Sequence, residues 1–305
     1  MKIPLYLAPM AGITDKPFRQ MVRKFGNQTL FTEMVGVETL LRGFKTTQKM
    51  IDLTGEKNII VQLVGVDAGK MAEAAKIVEQ TGAIGIDINM GCPVKKLISN
   101  YSGAKLMLEP ERAEKIAQTV VKSVSVPVSV KMRLGWDEAR KNAIPFSKML
   151  EECGISQITV HGRTKEMGYA GNADWDMIQS VKESVQIPVI ANGDVVDRNS
   201  ALLAAQRTKA DGLMVGRGAL GCPWILSEIE TGRKPVVRLS DLVIEHLESM
   251  LDYYGEHGLM VARKHIAWYA KGKKGVAPFC QTVYAEKNIK TVKKMIISFF
   301  ENGED

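Results

Sequence analysis

Ile84-Gly-Ile-Asp-Ile-Asn-Met-Gly-Cys-Pro93 is the stretch from which the rest of the chain is read. Ile84, Ile86, Ile88 and Met90 alternate with other residues at the period of a strand, and Gly91 and Pro93 end the run abruptly. Cys92 therefore stands just past a strand's C-terminal end. In parallel α/β architectures that edge carries the chemistry, because its loops vary while the strands hold them rigidly.

Outward from this run the same pattern recurs. Short β-like segments span Leu5 to Ala8, Leu30 to Met34, Ile59 to Val64, Ile84 to Asn89, Val126 to Met132, Ile155 to His161, Ile187 to Ala191 and Gly212 to Val215. Helical spacing fills the gaps at Asp67 to Gln80, Glu111 to Val124, Ala143 to Cys153, Asp174 to Ser184 and Arg198 to Lys209. Eight strand-helix units predict an α/β fold, a (β/α)₈ TIM barrel. A doubly wound sheet would also alternate, but no Gly-x-Gly-x-x-Gly turn follows the first strand. After Pro235 only helical spacing remains, over Asp241 to Tyr254, Met260 to Ala270 and Asn288 to Phe300, with Ser240 as a candidate cap. The expected division is a catalytic barrel over 1–236 and a small all-helical C-terminal domain over 237–305.

Composition narrows the class. At 305 residues, 45% hydrophobic and 25% charged, the chain has the makeup of a soluble globular protein. No apolar run is long enough to span a membrane, and Pro4 and Pro9 interrupt the apolar start, which reads as part of the fold. Cys92, Cys153, Cys222 and Cys280 are too sparse for a disulfide framework or a metal site, so a reducing cytoplasm and no metal are expected. The net charge of +7 is concentrated between Leu259 and Lys294, where nine Lys or Arg face the single acid Glu286. A basic helical tail that carries Trp268 and Tyr269 points to a polyanionic partner.

The predicted strand ends gather a polar set: Pro9, Met10 and Ala11, then Glu33, Gln62, Asn89 with Cys92, Lys131 with Arg133, His161 with Arg163, Asn192-Gly193-Asp194 and Gly216-Arg217-Gly218. The paired glycine turns after strands 7 and 8 suit a phosphate held by backbone N–H groups, with Arg217 adding a charge-assisted bond. That phosphate can belong to substrate or cofactor. Lys131 and Gln62 suit the polar edge of an FMN ring, and Ala8 to Ala11 can lie along its face. A sugar-phosphate enzyme with Lys131 as a Schiff-base lysine is the competing reading. Cys92 can serve as a general acid, or as a nucleophile with His161 as its base. The loop from Val94 to Met107, with Lys95, Lys96, Ser99, Ser102 and Gly103, is long and polar enough for a lid. Cys222 sits in the same Gly-Cys-Pro triplet as Cys92 but beyond the phosphate turn, and is assigned to packing.

Ala8-Pro-Met-Ala-Gly-Ile-Thr-Asp15, Asn89-Met-Gly-Cys-Pro-Val-Lys-Lys96, Val130-Lys-Met-Arg133, Val160-His-Gly-Arg-Thr164, Tyr169-Ala-Gly-Asn-Ala-Asp-Trp175, Ile190-Ala-Asn-Gly-Asp194, Met214-Val-Gly-Arg-Gly218 and Lys264-His-Ile-Ala-Trp-Tyr269 run through nearly the whole chain. Together they resemble the tRNA-dihydrouridine synthases of the bacterial DusB-like branch. The resemblance implies that tRNA is the partner, FMN the cofactor and NADPH the reductant, in reduction of D-loop uridines. It implies that Pro9, Met10, Ala11, Gln62, Lys131, His161, Asn192, Gly193, Asp194, Gly216 and Arg217 hold FMN, with Cys92 as proton donor to C5 opposite the hydride delivered from FMN N5 to C6. Asn89 and Arg163 are the expected substrate contacts, and a monomer the expected state. Two other readings are an FMN oxidoreductase of free pyrimidines, which leaves the basic tail unexplained, and a catalytically dead RNA-binding barrel.

Overall fold

Alternating strand and helix periods fold here as eight parallel strands closed on themselves, each flanked by helices, in a computed structural model that describes residues 3–94 and 101–301. The strands are β1 (Leu5–Leu7), β2 (Thr29–Gly36), β3 (Ile59–Val64), β4 (Gly85–Met90), β5 (Val128–Arg133), β6 (Gln157–His161), β7 (Val189–Asn192) and β8 (Gly212–Val215). All eight expected strands are present in order, two of them with the expected bounds. The expected helices following β3, β4, β5, β6 and β7 form at Ala68–Glu79, Pro110–Val121, Ala143–Glu152, Trp175–Ser184 and Arg198–Thr208.

The barrel helices start where they do because aspartates cap them. Asp15, Asp67 and Asp174 each accept a backbone N–H three residues on, and Asp197 forms a reciprocal capping box with Ser200. At the opposite end of the barrel, carboxylates pin the strand starts. Glu79 accepts from the N–H groups of Ser125 and Val126, Glu151 from Gln186 and Ile187, and Asp211 from Val189. These carboxylate contacts brace the N-terminal face, opposite the C-terminal mouth where chemistry is done in such barrels. Strand register fixes the mouth: Asn89 pairs with Lys131, Arg133 with His161, and His161 with Asn192.

From Leu239 the chain is helical, over Leu239–Tyr254, Gly258–Ala270, Val276–Ala285 and Ile289–Glu301. Two details differ from the sequence reading. Val276–Ala285 forms a helix where Gly275 and Pro278 predicted a break; Pro278 is its third residue, where a missing N–H leaves no bond unmade. Ser240 does not cap: it lies inside the helix that follows Arg238, and its hydroxyl is buried without a partner. Lys95, Lys96 and Ser99 of the expected lid lie outside the described residues. No helix among the described residues is long and apolar enough to cross a membrane.

These helices share a second apolar core, built from Leu242, Leu247, Met250, Ile266, Phe279, Val292, Ile296 and Phe300, into which the barrel inserts Met21 and Trp224. Close approach depends on Gly221, at φ +74°, where a Cβ would sit 2.3 Å from the Trp268 carbonyl oxygen. Cys222 packs against both cores, and burial pushes its thiol up to about 12, in keeping with a packing role. At the junction His246 and His265 stack edge to face at 4.6 Å, and Phe18 of helix Lys16–Arg23 lies against both rings. Nδ1 of His246 meets the Tyr269 hydroxyl at 3.1 Å, while Nε2 of each ring has no partner.

Burial lowers both imidazoles from the ordinary 6.5, His246 to about 3 and His265 to about 2. Below pH 6.5 the unfolded chain therefore takes up protons that the folded one refuses, and stability falls as the pH drops from there toward the folded values. His265→Phe should remove roughly 2 kcal/mol of the destabilisation that wild type suffers between about pH 7.5 and 5. Denaturant unfolding of both proteins at the two pH values checks this; an identical loss in the variant would show that His265 is not a source of the acid sensitivity.

Candidate active site

A cavity of about 850 Å³ opens at the C-terminal mouth. Its wall takes Pro9, Met10 and Ala11 from the loop after β1, Asn89 and Cys92 from β4 and its loop, Lys131 and Arg133 from β5, and His161 from β6. Asn192, Gly193 and Asp194 after β7 and Gly216, Arg217 and Gly218 after β8 complete the barrel's share. The strand ends thus converge as the sequence predicted. Two expected contacts do not reach the wall. Gln62, expected to touch the cofactor, is wholly buried, with its amide nitrogen given to Asp87 at 2.6 Å and its oxygen to Asn89 at 2.8 Å. Arg163, expected to touch substrate, is 2% exposed, and its guanidinium is taken up by Asp194 and by the carbonyls of Ala170 and Gly171.

Cys92 owes its position to two contacts. Asn89 Oδ1 accepts from its N–H at 3.0 Å, and its carbonyl accepts from Ala104 at 3.0 Å, which seats the 3₁₀ turn Gly103–Leu108 against it. Burial pushes the Cys92 thiol up, while the Val94 N–H, Arg133 and Lys131 pull the other way. The net direction keeps it a thiol, a proton donor rather than a thiolate. His161 is a weak base for it: burial, and then Lys131, Arg133, Arg163 and Arg217, hold the imidazole far below its ordinary range, so it takes up a proton poorly and stays neutral.

Lys131 donates to Asn192 Oδ1 at 2.9 Å, and Asn192 in turn donates to the Met214 carbonyl at 2.8 Å, so the amide is fixed with its oxygen toward the lysine. Burial, and then Arg133, push Lys131 down to about 8. Arg133, at the end of β5, ties the loops after β4 and β6 together through the carbonyls of Gly91, Thr164 and Gly168. Burial opposes ionisation of Asp194, yet Arg163 and the Ala173 N–H hold its carboxyl below the usual range. The turn after β7 needs its glycine: Gly193 has φ +119°, and a Cβ there would lie 2.8 Å from Ala173 Cβ and 3.1 Å from the His161 ring. Arg217, half exposed, approaches Asp194 at 3.6 Å and lies over the Tyr169 ring at 4.8 Å, which leaves the edge of its guanidinium open to an anion.

A family model described as dihydrouridine synthase matches residues 6–301. The chain belongs to that family. As a member of the dihydrouridine synthase family it is an enzyme, and similar proteins include a probable tRNA-dihydrouridine synthase of Rickettsia conorii, 44% identical over 97% of this chain and 93% of that protein. The tRNA-dihydrouridine synthase B of Vibrio vulnificus is 39% identical over 99% of this chain and 97% of its own length. Among solved structures, histamine dehydrogenase from Rhizobium sp. 4-9 superposes with a TM-score of 0.56 at 12% identity, covering 80% of this chain and 48% of that one. A 2-naphthoyl-CoA reductase gives 0.57 at 13% identity, covering 75% of this chain and 50% of the other. These likenesses concern the barrel fold.

Among the wall residues of this dihydrouridine synthase family member that escaped the strand-end reading, three are aromatic or charged. Tyr169, from the loop after β6, lies beneath Arg217 at 4.8 Å and Arg133 at 5.7 Å from its ring centroid. Trp268 and Lys271 come from the end of helix Gly258–Ala270, so the helical tail supplies part of the cavity. Tyr169 had a signal, an aromatic in a polar loop after a strand end; Trp268 stood out in the basic tail, but its place on the wall, with Lys271, depends on tertiary docking of the tail on the barrel.

The turn behind Cys92 gives a direct test of its seating. Gly103 has φ +60°, and a Cβ there would lie 2.7 Å from the Cys92 carbonyl oxygen. Gly103→Ala should cost about 2 kcal/mol from the left-handed backbone and the clash together. It should also speed alkylation of Cys92 relative to Cys222, read by peptide mass spectrometry. Unchanged stability and unchanged Cys92 labelling would mean that this turn does not hold the cysteine.

Proposed function

We propose that the protein reduces uridines of the tRNA D-loop to 5,6-dihydrouridine with FMN as its cofactor and NADPH as reductant. The observation that carries this is the meeting, on one cavity wall, of Cys92, Lys131, two glycine turns with Arg217, and Trp268 and Lys271 of the basic tail. Family membership, and relatives named for tRNA, support the substrate.

The wall fits a phosphorylated flavin. Gly193, Gly216 and Gly218 bare the backbone at the ends of β7 and β8, and Arg217 stands beside them, as a phosphate requires. Pro9, Met10 and Ala11 offer an apolar strip for a flat ring, and Lys131, held by Asn192, sets a positive charge at its polar edge. His161, kept neutral, adds a ring nitrogen without adding charge. Asp194 contributes by fixing Arg163 and the turn after β6, and Gln62 by fixing Asn89. When bound, FMN supplies hydride to C6 of the uracil. Cys92 gives the proton to C5, for which burial keeps its thiol charged with hydrogen at neutral pH. Asn89 sits beside Cys92 on the wall, where its amide, held by Gln62 and by the Gly91 and Cys92 N–H groups, would adjoin the base.

The target nucleotide must leave the tRNA fold to enter the cavity, an unstacking that contacts elsewhere have to offset. We assign that task to residues 237–305. Arg263, Lys264 and Lys293 are engaged within the fold, with Glu286, Gly12 and Glu248, whereas Lys274, Lys287, Lys290 and Lys294 are exposed. Exposed lysines of this kind position a polyanion without reading sequence.

Cys92→Ala is expected to keep the flavin absorbance of the purified protein and to lose about 100-fold or more in dihydrouridine formation, measured by mass spectrometry of tRNA lacking the modification. A preparation that is colourless and binds no added FMN would overturn the cofactor assignment. Normal turnover in the variant would overturn the role of Cys92.

A further inference from the structure

Beneath the cavity a carboxylate is sealed in the barrel interior. Asp87 of β4 is 0% exposed. Its Oδ2 accepts from Gln62 Nε2 of β3 at 2.6 Å, and its Oδ1 from the Ser129 hydroxyl of β5 at 2.6 Å, the partners that strand register places on either side. Gln62 Oε1 accepts from Asn89 Nδ2 at 2.8 Å, and Asn89 Oδ1 accepts from the N–H groups of Gly91 at 3.2 Å and Cys92 at 3.0 Å. Four side-chain and backbone groups thus form one line from the closed interior to the cysteine.

An amide can face either way, and only its neighbours decide which end points where. In this line both ends are unambiguous. The peptide N–H of Cys92 can only donate, and Asp87, whose carboxyl burial raises to about 6 against the pull of Gln62, Ser129 and Lys131, is ionised at neutral pH and there can only accept. Gln62 must turn its nitrogen to Asp87, so its oxygen faces Asn89; Asn89 must then turn its nitrogen to Gln62 and its oxygen to Cys92. The two amide dipoles align head to tail, each strengthening the next in a medium that screens little. A carboxylate buried without an arginine would otherwise be a costly choice at a position flanked by Ile86 and Ile88.

We propose that Asp87 is a positioning residue for Cys92, acting through the directed Gln62–Asn89 amide pair. This rests on the reading of Cys92 as the proton donor. Asp87 touches neither substrate nor cofactor; it sets the amide orientation that holds the Cys92 backbone in place.

Hydrogen exchange of the peptide spanning residues 89–94 and steady-state kinetics on unmodified tRNA test the proposal together. Asp87→Ala removes the terminal acceptor, and Gln62→Met cuts the line in its middle with a side chain of similar length. Both are expected to raise exchange at Gly91 and Cys92 and to lower kcat about tenfold or more, with KM for tRNA unchanged. Asp87→Asn should rescue both readouts to within about threefold, because its oxygen can accept from Gln62 while its nitrogen donates to the Ser129 hydroxyl. Should Asp87→Ala fail to fold, Gln62→Met and Asp87→Asn decide alone. Wild-type exchange and kcat in Gln62→Met, a change in KM rather than kcat, or an Asp87→Asn as impaired as Gln62→Met would each overturn the proposal. Exchange is read without any turnover, so raised exchange in Gln62→Met with rescue by Asp87→Asn, in a protein that never reduces tRNA, would sink the proposed function while leaving the amide line standing.

Discussion

Closure of the sheet between β1 and β8 is the constraint on which the rest of the structure depends. β1 contributes three residues, and it seals the barrel because β8 begins with Gly212. A Cβ there would lie 2.7 Å from Ile190 Cδ1, 2.9 Å from the Tyr6 ring and 3.1 Å from the Pro4 carbonyl oxygen. With that seam shut, Leu213 donates to Pro4 and Ala8 to the Val215 carbonyl, and the loop Pro9 to Ala11 is carried to the side of the turn Gly216 to Gly218. An open sheet of the same strands would leave these two loops on opposite edges. The cavity is a property of closure before it is a property of any side chain.

Charge at the mouth is the second organising term. Lys131, Arg133, Arg163 and Arg217 surround a neutral His161, while the carboxylates near them are Asp194, committed to Arg163, and Asp87, sealed below. Arg133 spends its donors on carbonyls, which have no charge to return. Like charges gathered in a medium of low polarity cost stability, and an anion held at the two glycine turns would offset that cost. Local destabilisation of this kind, concentrated at one wall, is how a fold reserves free energy for a ligand.

Legibility followed the range of the forces involved. The strands were visible because apolar alternation and glycine stops are local, and β3 and β8 kept the bounds read from the sequence. The helix starts were visible at Asp67 and Asp174, offset by one residue because a cap is not itself helical, and at Arg198, where the start coincides. Helix Val276–Ala285 was hidden by Pro278, a breaker within most helices and harmless in a first turn. Of the site, the residues that strand order alone brings to the mouth were found, among them Cys92, Lys131 and Asn192. Gln62 and Arg163 were placed one layer too far forward, since a polar side chain at a strand end reads the same whether it faces the cavity or a buried partner. Trp268 and Lys271 were out of reach, because their position depends on how the tail packs on Met21 and Trp224.

Lys264 of the tail donates to the Gly12 carbonyl across 252 positions of sequence, beside the loop that forms the first wall of the cavity. Contacts between residues so far apart repay the entropy of closing the intervening chain only after that chain is largely ordered. The barrel's neighbouring strands can pair within tens of residues, but the mouth waits for its two most distant contributors. Loosening the tail would therefore open the part of the cavity wall that Trp268 and Lys271 supply while the barrel strands stay paired.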